Sequence, residues 1–478
     1  MGGAAMIPVR NPRSGEIDYS IQPASAEQVA AEAKRLRKAQ PKWQALGASG
    51  RADVLRRWAD AIEARTEDIV APLSVDTGRL RIARIEVEGL PRSIRRWADR
   101  GPEIIAALDA KDRPSAFPGV SISTRHLPYP LFGAIAPWNF PVVLSTIDLI
   151  PALMAGCAAV VKPSEVTPRF LEPLKETIAA VPELERVLAF VLGGPETGQA
   201  LIANVDYVCF TGSVATGRKV AEAAARAFIP ANLELGGKDP MIVLASADPV
   251  QAARTALRAS VVASGQACQS IERVYVARAI AQPFIDALVH EARACRLNHP
   301  KIREGEIGPF IFARQAETVQ AQIDDARSRG ARVLTGGTVE RLGGGLYLRP
   351  TVIIDVTSDM AIMREETFGP VVPVVIFDDV EEAIAQANDS AFGLSAAVLA
   401  GSAAEAEAVG AHLEAGAVSI NDGALTSMVW DAEKSGFKSS GLGPSRTGDQ
   451  GLTRFFRTQA LIRQNGPPMN LAAFAEDA

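Results

Sequence analysis

Long apolar runs are missing from this sequence. None approaches the roughly 18 to 20 residues that a bilayer-spanning helix needs, so no membrane segment is expected. The first residues, Met1-Gly2-Gly3-Ala4-Ala5-Met6, have neither a basic start nor an apolar stretch, and no secretory leader is read there. Cysteine is scarce: Cys157, Cys209, Cys268 and Cys295 are the four in 478 residues. They show no C-x-x-C spacing, which excludes a disulfide framework and makes a reducing cytoplasm the expected setting. The four histidines are scattered without ligand spacing, so no metal site is expected. A large surplus of either charge is also missing. The formal net charge is −5, which points to neither nucleic acid nor an anionic membrane as partner. Basic residues cluster only locally, in Lys34-Arg35-Leu36-Arg37-Lys38 and around Arg92, Arg95 and Arg96, where interleaved apolar residues make them solvated faces of amphipathic helices.

What remains is a globular composition. Hydrophobic residues make up 47% and charged residues 22%, enough to bury a core, and the length calls for two or three domains. The chain opens with helices. Ser25 and Gln28 form a capping-box start, and the helix is expected to stop before Pro41. Val54, Leu55, Trp58 and Ile62 recur at helical spacing. From about Gly133 the pattern becomes short apolar runs alternating with helices. Strands are predicted at 133–136, 158–161, 187–191, 207–210 and 233–235, with helices near 142–155, 169–180 and 215–227. Such alternation implies a parallel sheet with helices on both faces, and ligands at the carboxyl ends of its strands. A second α/β series starts at Met241-Ile242-Val243-Leu244 and continues through 273–276 and 371–377 to about Ser440. No low-complexity linker separates the two, so close packing with a cleft between them is expected.

Three residues could carry chemistry. Cys268, in Gly265-Gln266-Ala267-Cys268, follows a turn that could hold a thiolate at a cleft for attack on a carbonyl, or it could be a buried structural cysteine. Glu234, between Leu233 and Leu235, could be a dehydrated general base or an exposed edge-strand residue. Asn139, in Pro137-Trp138-Asn139-Phe140-Pro141, could donate to an oxyanion or merely cap a turn.

Taken with Lys162-Pro163-Ser164-Glu165, Phe210-Thr211-Gly212-Ser213 with Gly217, Glu234-Leu235-Gly236-Gly237-Lys238 and Glu365-Glu366-Thr367-Phe368-Gly369-Pro370, these segments occur in an order that resembles the NAD(P)-dependent aldehyde dehydrogenase superfamily, from about Arg51 to Arg463. The resemblance implies an α/β fold of two doubly wound parallel-sheet domains with a small β oligomerisation arm. The cofactor domain would take residues 1–118 and 130–236, the catalytic domain 237–440, and the arm 119–129 and 455–467. It implies Cys268 as nucleophile, Asn139 and the Cys268 N–H as oxyanion donors, and Glu234 as the base that activates water against a thioester. It places NAD against Trp138, Lys162, Ser164, Glu165, Gly212, Ser213, Gly217, Leu235, Gly236, Glu366 and Phe368. Glu165 at the adenosine ribose would favour NAD over NADP. A homodimer or tetramer is implied, with a small aldehyde as substrate.

The substrate wall is expected from Phe140, Val143, Leu144 and Ile147, which share a helix face, with Ala267, Gln269, Met428 and Trp430. Its apolar character suggests a neutral aromatic or medium-chain aldehyde. Lys434 stands where the resembled family commonly has an aromatic wall residue, and it is the main threat to that reading, because an ammonium at the tunnel mouth could pair with an acid-bearing semialdehyde, the alternative substrate. Asp148 and Ser445 stand where many members carry a Lys and a Glu involved in proton handling, which leaves the proton path open. A CoA-acylating enzyme or a non-catalytic binding protein are the alternatives; Glu234 argues against the first and Cys268 against the second.

Overall fold

The computed structural model describes residues 5–476; Met1–Ala4, part of the stretch read for a leader, and the last two residues lie outside them. Two sheets dominate. The first runs in the order Gly441–Leu442, Ala231–Glu234, Tyr207–Thr211, Leu131–Ile135, Ala158–Lys162, Leu188–Phe190. Five of its strands are parallel, and the short 441–442 strand joins antiparallel at the edge. Runs such as Ala158-Ala159-Val160-Val161 are buried at every position because helices cover both faces. The second sheet has the order Arg332–Thr335, Thr351–Ile354, Val371–Phe377, Ile271–Ala277, Asp239–Val243, Ala396–Leu399, Val418–Ile420. It is parallel except for 332–335. One core fills the first unit and two cores cover the two faces of the second sheet. Among the described residues, no helix is long and apolar enough to cross a membrane.

The local differences from the sequence reading have physical causes. The Ser25-capped helix does not stop before Pro41 but runs Ala26–Ala45. A mid-helix proline costs about 3 kcal/mol. On either side of it, however, the chain is anchored: Gln40 donates to the Gly156 carbonyl, and Trp43 is buried with its indole N–H donating to the Leu153 carbonyl. The single helix expected near 142–155 is two, Pro141–Thr146 and Leu149–Ala155. Pro151 has no N–H to offer the Ile147 carbonyl, so the ladder breaks there. A third sheet joins Ala110–Pro114, expected above within the cofactor domain, to Val120–Pro128, which pairs in turn with Phe456–Gln464.

Candidate active site

The carboxyl ends of the first sheet's strands, together with loops of the second unit, enclose a cavity of about 1060 Å³. Its lining includes Asn139, Glu234 and Cys268 along with Glu165, Glu366 and Phe368. Residues almost 130 positions apart in sequence are therefore brought to one space.

The cysteine sits on an over-determined loop. After the Pro249–Val261 helix, Ala263, Ser264 and Gly265 all take left-handed backbone angles, with φ of 55°, 60° and 68°. For non-glycine residues such angles cost about 1–3 kcal/mol each, and they persist only where the surroundings enforce them. Here the enforcement is visible. Ser264 Oγ donates to the Gly308 carbonyl at 3.1 Å and accepts from its N–H at 2.9 Å. The fully buried Gln266 side chain donates to Pro309 O at 3.1 Å and accepts from Ile311 N at 2.9 Å. Gly265 lies so close to Gly369 that a Cβ would fall 2.2 Å from its carbonyl oxygen. Beyond this buried turn, Ala267, Cys268 and Gln269 are half-buried, and Cys268 lines the cavity. Burial, then Glu366, Asp239 and Glu234, push that thiol up to about 12, with Arg446 pulling the other way.

Asn139 is only 4% exposed, and its Nδ2 donates to the Gln266 carbonyl at 3.1 Å. The amide is thereby oriented beside the Cys268 loop and keeps a second N–H. Arg79, fully buried, donates to the carbonyls of both Asn139 and Ala263 and clamps the two loops together.

Glu234 ends the Ala231–Glu234 strand, and its side chain makes no hydrogen bond among the described residues. Burial pushes its carboxyl up; of the nearby charges, Arg446 opposes this most, Asp148 reinforces it, and Arg454 and Lys434 also oppose it. A raised carboxyl facing a thiol is suited to taking protons from water.

The residues read as cofactor contacts, Gly217 excepted, line the same cavity. Lys162 Nζ donates to Gly193 O at 2.7 Å, Pro163 O at 3.0 Å and Glu165 Oε2 at 3.2 Å. Ser213 caps the Val214–Ala227 helix, leaving first-turn N–H groups facing the cavity. Glu366 accepts from Gly237 N at 3.2 Å, and burial beside Glu272 pushes it up to about 8. Phe368, at a left-handed φ of 54°, stands edge-on to Trp138 with centroids 5.5 Å apart. Trp138, Ser164, Gly212, Leu235 and Gly236 are also on the wall. Gly217 is not: a Cβ there would strike Leu235 at 2.5 Å, so this glycine serves helix–strand packing.

Of the residues read as substrate wall, only Leu144 reaches this cavity. Val143 and Ile147 are half-buried on the same helix face, Phe140 packs under the Arg79 guanidinium at 5.3 Å, and Met428 is 61% exposed with Trp430 half-buried near it. Lys434, read as standing at a tunnel mouth, turns inward. Its ammonium donates to the Thr426 and Val429 carbonyls and lies in the field of Glu234 and Cys268. Sequence reasoning missed the Arg79 clamp. It also missed the fully buried Lys238–Glu272 pair, whose carboxylate accepts from the N–H groups of Thr367 and Phe368 and so fixes the Glu366 loop. No local pattern marks either.

Comparison with known proteins matches residues 2–461 to the Aldehyde dehydrogenase family. A Mycolicibacterium smegmatis protein named "Putative succinate-semialdehyde dehydrogenase", with NADP(+) in its name, is 36% identical over 97% of this chain and 91% of its own. The lactaldehyde dehydrogenase of Escherichia coli is 34% identical over 97% and 96%. Among solved structures, "Putative Aldehyde Dehydrogenase PutA" from Anabaena variabilis superposes with a TM-score of 0.95 at 50% identity, covering 98% of this chain and 99% of that one.

Proposed function

The chain belongs to the aldehyde dehydrogenase family, oxidoreductases that act on aldehydes with NAD(P), and from that premise we propose that it oxidises a short, acid-bearing semialdehyde, with NAD as the preferred cofactor. The Cys268 thiol gives its proton to water in the cleft as its sulfur bonds to the aldehyde carbon, and the resulting oxyanion is held by the Asn139 amide and the Cys268 N–H. A bound nicotinamide would supply the two-electron acceptor for the adduct's hydride, and Cys268 would then carry the acyl group as a thioester. Glu234 takes a proton from water as its oxygen adds to the thioester carbon; the C–S bond breaks, releasing carboxylate and freeing Cys268.

The cleft fits such a cofactor. The capped helix start at Ser213 offers N–H groups and a positive dipole end to a pyrophosphate. Lys162 and Glu165, paired at 3.2 Å, would hold the adenosine ribose, and Glu366, anchored on Gly237, the second ribose. Glu165 would repel a 2′-phosphate, which is the ground for preferring NAD even though the M. smegmatis relative is named for NADP(+).

The substrate class is carried by Lys434. Two of its three N–H bonds rest on backbone carbonyls, its charge acts on Glu234 and Cys268, and the third N–H would bind the substrate carboxylate. A carboxylate buried against the Val143, Leu144 and Ile147 face without a partner would cost several kcal/mol; the ammonium removes that objection. The names of the two relatives, for succinate semialdehyde and lactaldehyde, support a short polar substrate over the neutral apolar one that the helix face alone suggests. The test compares kcat/KM for succinate semialdehyde, hexanal and benzaldehyde. Succinate semialdehyde should lead, and Lys434→Met should lower it by roughly 10- to 100-fold, the worth of a charged hydrogen bond, while sparing hexanal. A lead for hexanal that survives Lys434→Met would refute the assignment.

The arm supports a homo-oligomer. Phe456–Gln464 is exposed along nearly its whole length, with Ile462 71% accessible, an edge that a second subunit would cover. Light scattering at micromolar concentration should give at least a dimer; a monodisperse monomer would contradict this.

A further inference from the structure

Behind Glu234 lies a cluster of three buried charges. Asp148, at the start of the Leu149–Ala155 helix, is 2% exposed. Its Oδ2 accepts from Arg446 Nη2 at 2.6 Å, and its Oδ1 accepts from Arg454. Arg446 Nη2 also donates to Thr211 Oγ1 at 2.8 Å. Thr211 ends its strand directly opposite Glu234 in the parallel register, and Glu234 faces Gly441 on its other side, where the segment carrying Arg446 begins. Arg446 is thus tied to the strand end that neighbours the carboxylate.

Two guanidinium groups against one carboxylate leave a unit of positive charge unbalanced in a space with little water. The ionisable groups facing Glu234 are Arg446 and Arg454 from the C-terminal segment, Asp148 from its helix, Lys434 from the preceding loop, Cys268 from the nucleophile loop and Cys209 from the adjoining strand. Lys434, held by two carbonyls, adds a further positive charge, with a smaller effect on Glu234 than Arg446. The two thiols are pushed up by burial and stay neutral. Glu234 is therefore the group whose ionisation balances the cluster.

Resting on the reading of Glu234 as the hydrolytic base, we propose that Arg446, aimed by Asp148 and Thr211, is a positioning residue whose charge favours the ionised form of Glu234. The sign of each member's effect follows from charge. Glu234 must be ionised to accept a proton, so hydrolysis fails as pH falls through its titration. Removing Arg446 disfavours the ionised form and moves that acid limb upward. Removing the charge of Asp148 favours it and moves the limb downward.

The experiment measures NADH formation by stopped flow, following the burst and the steady state across pH, for wild type, Arg446→Gln, Arg446→Lys, Asp148→Asn and Glu234→Gln. Arg446→Gln should keep its burst and show a steady-state acid limb raised by about one pH unit or more, approaching the wild-type rate at high pH. Arg446→Lys should return the limb toward wild type. Asp148→Asn should lower it. A purely structural cluster would move both variants in the same direction or cut burst and steady state alike, and either result overturns the proposal. If Arg446→Gln does not fold, Asp148→Asn decides alone: a lowered limb supports the proposal, and an unmoved or raised one overturns it. Glu234→Gln tests the underlying assignment separately, because full steady-state turnover in that variant refutes the base itself, whatever Arg446 does.

Discussion

The two walls of the cleft are built differently. On the wall that presents Cys268, Asn139, Glu366 and Phe368, the backbone is fixed by buried side chains. Ser264 and Gln266 hold the cysteine turn, Arg79 joins it to Asn139, and Glu272 caps the Thr367 and Phe368 N–H groups. Left-handed residues Ala263, Ser264 and Phe368 persist because these contacts leave the chain no alternative. On the other side, the Pro141–Thr146 helix brings half-buried Leu144 to the cavity, and Met428 and Trp430 stand exposed or half-buried beyond it. Reaction chemistry needs the first kind of construction, since reacting groups lose efficiency when displaced by about 1 Å. Selectivity among aldehydes can be changed on the second without disturbing the first.

The contrast breaks most severely at the nucleophile. Cys268→Ala should bring turnover below roughly a thousandth of wild type, as loss of a covalent nucleophile does, while cofactor binding measured by fluorescence titration stays near normal. Ala at Cys157, Cys209 or Cys295 should each retain turnover. Next in size is Glu234→Gln. Its steady state should fall by about 10²–10⁴-fold, the usual worth of a general base, after a burst of NADH close to one per site. Absence of a burst would mean that Glu234 is needed before hydride transfer. A third variant tests rigidity rather than chemistry. Glu272→Gln leaves the Lys238 ammonium buried beside a neutral amide, and removing one partner of such a pair costs about 3–5 kcal/mol. Denaturant unfolding should show that loss, and KM for the cofactor should rise as the Glu366 loop loosens. An unchanged unfolding midpoint would mean that the loop is held by other means.

Legibility in the sequence follows the same division. Cys268, Glu234 and Asn139 stand in short motifs whose glycines and prolines record backbone demands, such as the approach of Gly265 to Gly369, so the wall that needs fixed backbone leaves a local trace. The strand and helix alternation was legible because parallel strands are apolar on both faces, although their ends were misplaced by a residue or two. Long-range pairs left no such trace. Arg79 meets Ala263 from 184 positions away, and Arg446 meets Asp148 from 298. Asp148 offered half of a clue, since an acid flanked by apolar helix residues requires a cation, but nothing local pointed to Arg446 rather than its neighbours. The helix through Pro41 was misread because propensity is local, while the anchoring of Trp43 on Leu153 is not.

The smallest expected effect concerns the cofactor, and it asks whether side-chain selectivity extends to the rigid wall. Glu165 is the one acidic residue at the place proposed for the adenosine ribose, about a third exposed and paired with the nearly buried Lys162. A ribose with both hydroxyls free can donate to that carboxylate; a 2′-phosphate meets like charge and must displace it. Because Glu165 is partly solvated, it can turn outward and leave Lys162 to the phosphate, so discrimination should be modest. NAD should be preferred by about tenfold in kcat/KM, or roughly 1.4 kcal/mol. Glu165→Gln should erase most of that preference by improving NADP while changing NAD little, since an amide still bonds a hydroxyl but no longer repels. Equal efficiency with both cofactors in the wild type would show that the carboxylate already swings aside. A wild-type preference for NAD that persists undiminished in Glu165→Gln would place the discrimination elsewhere in the cleft.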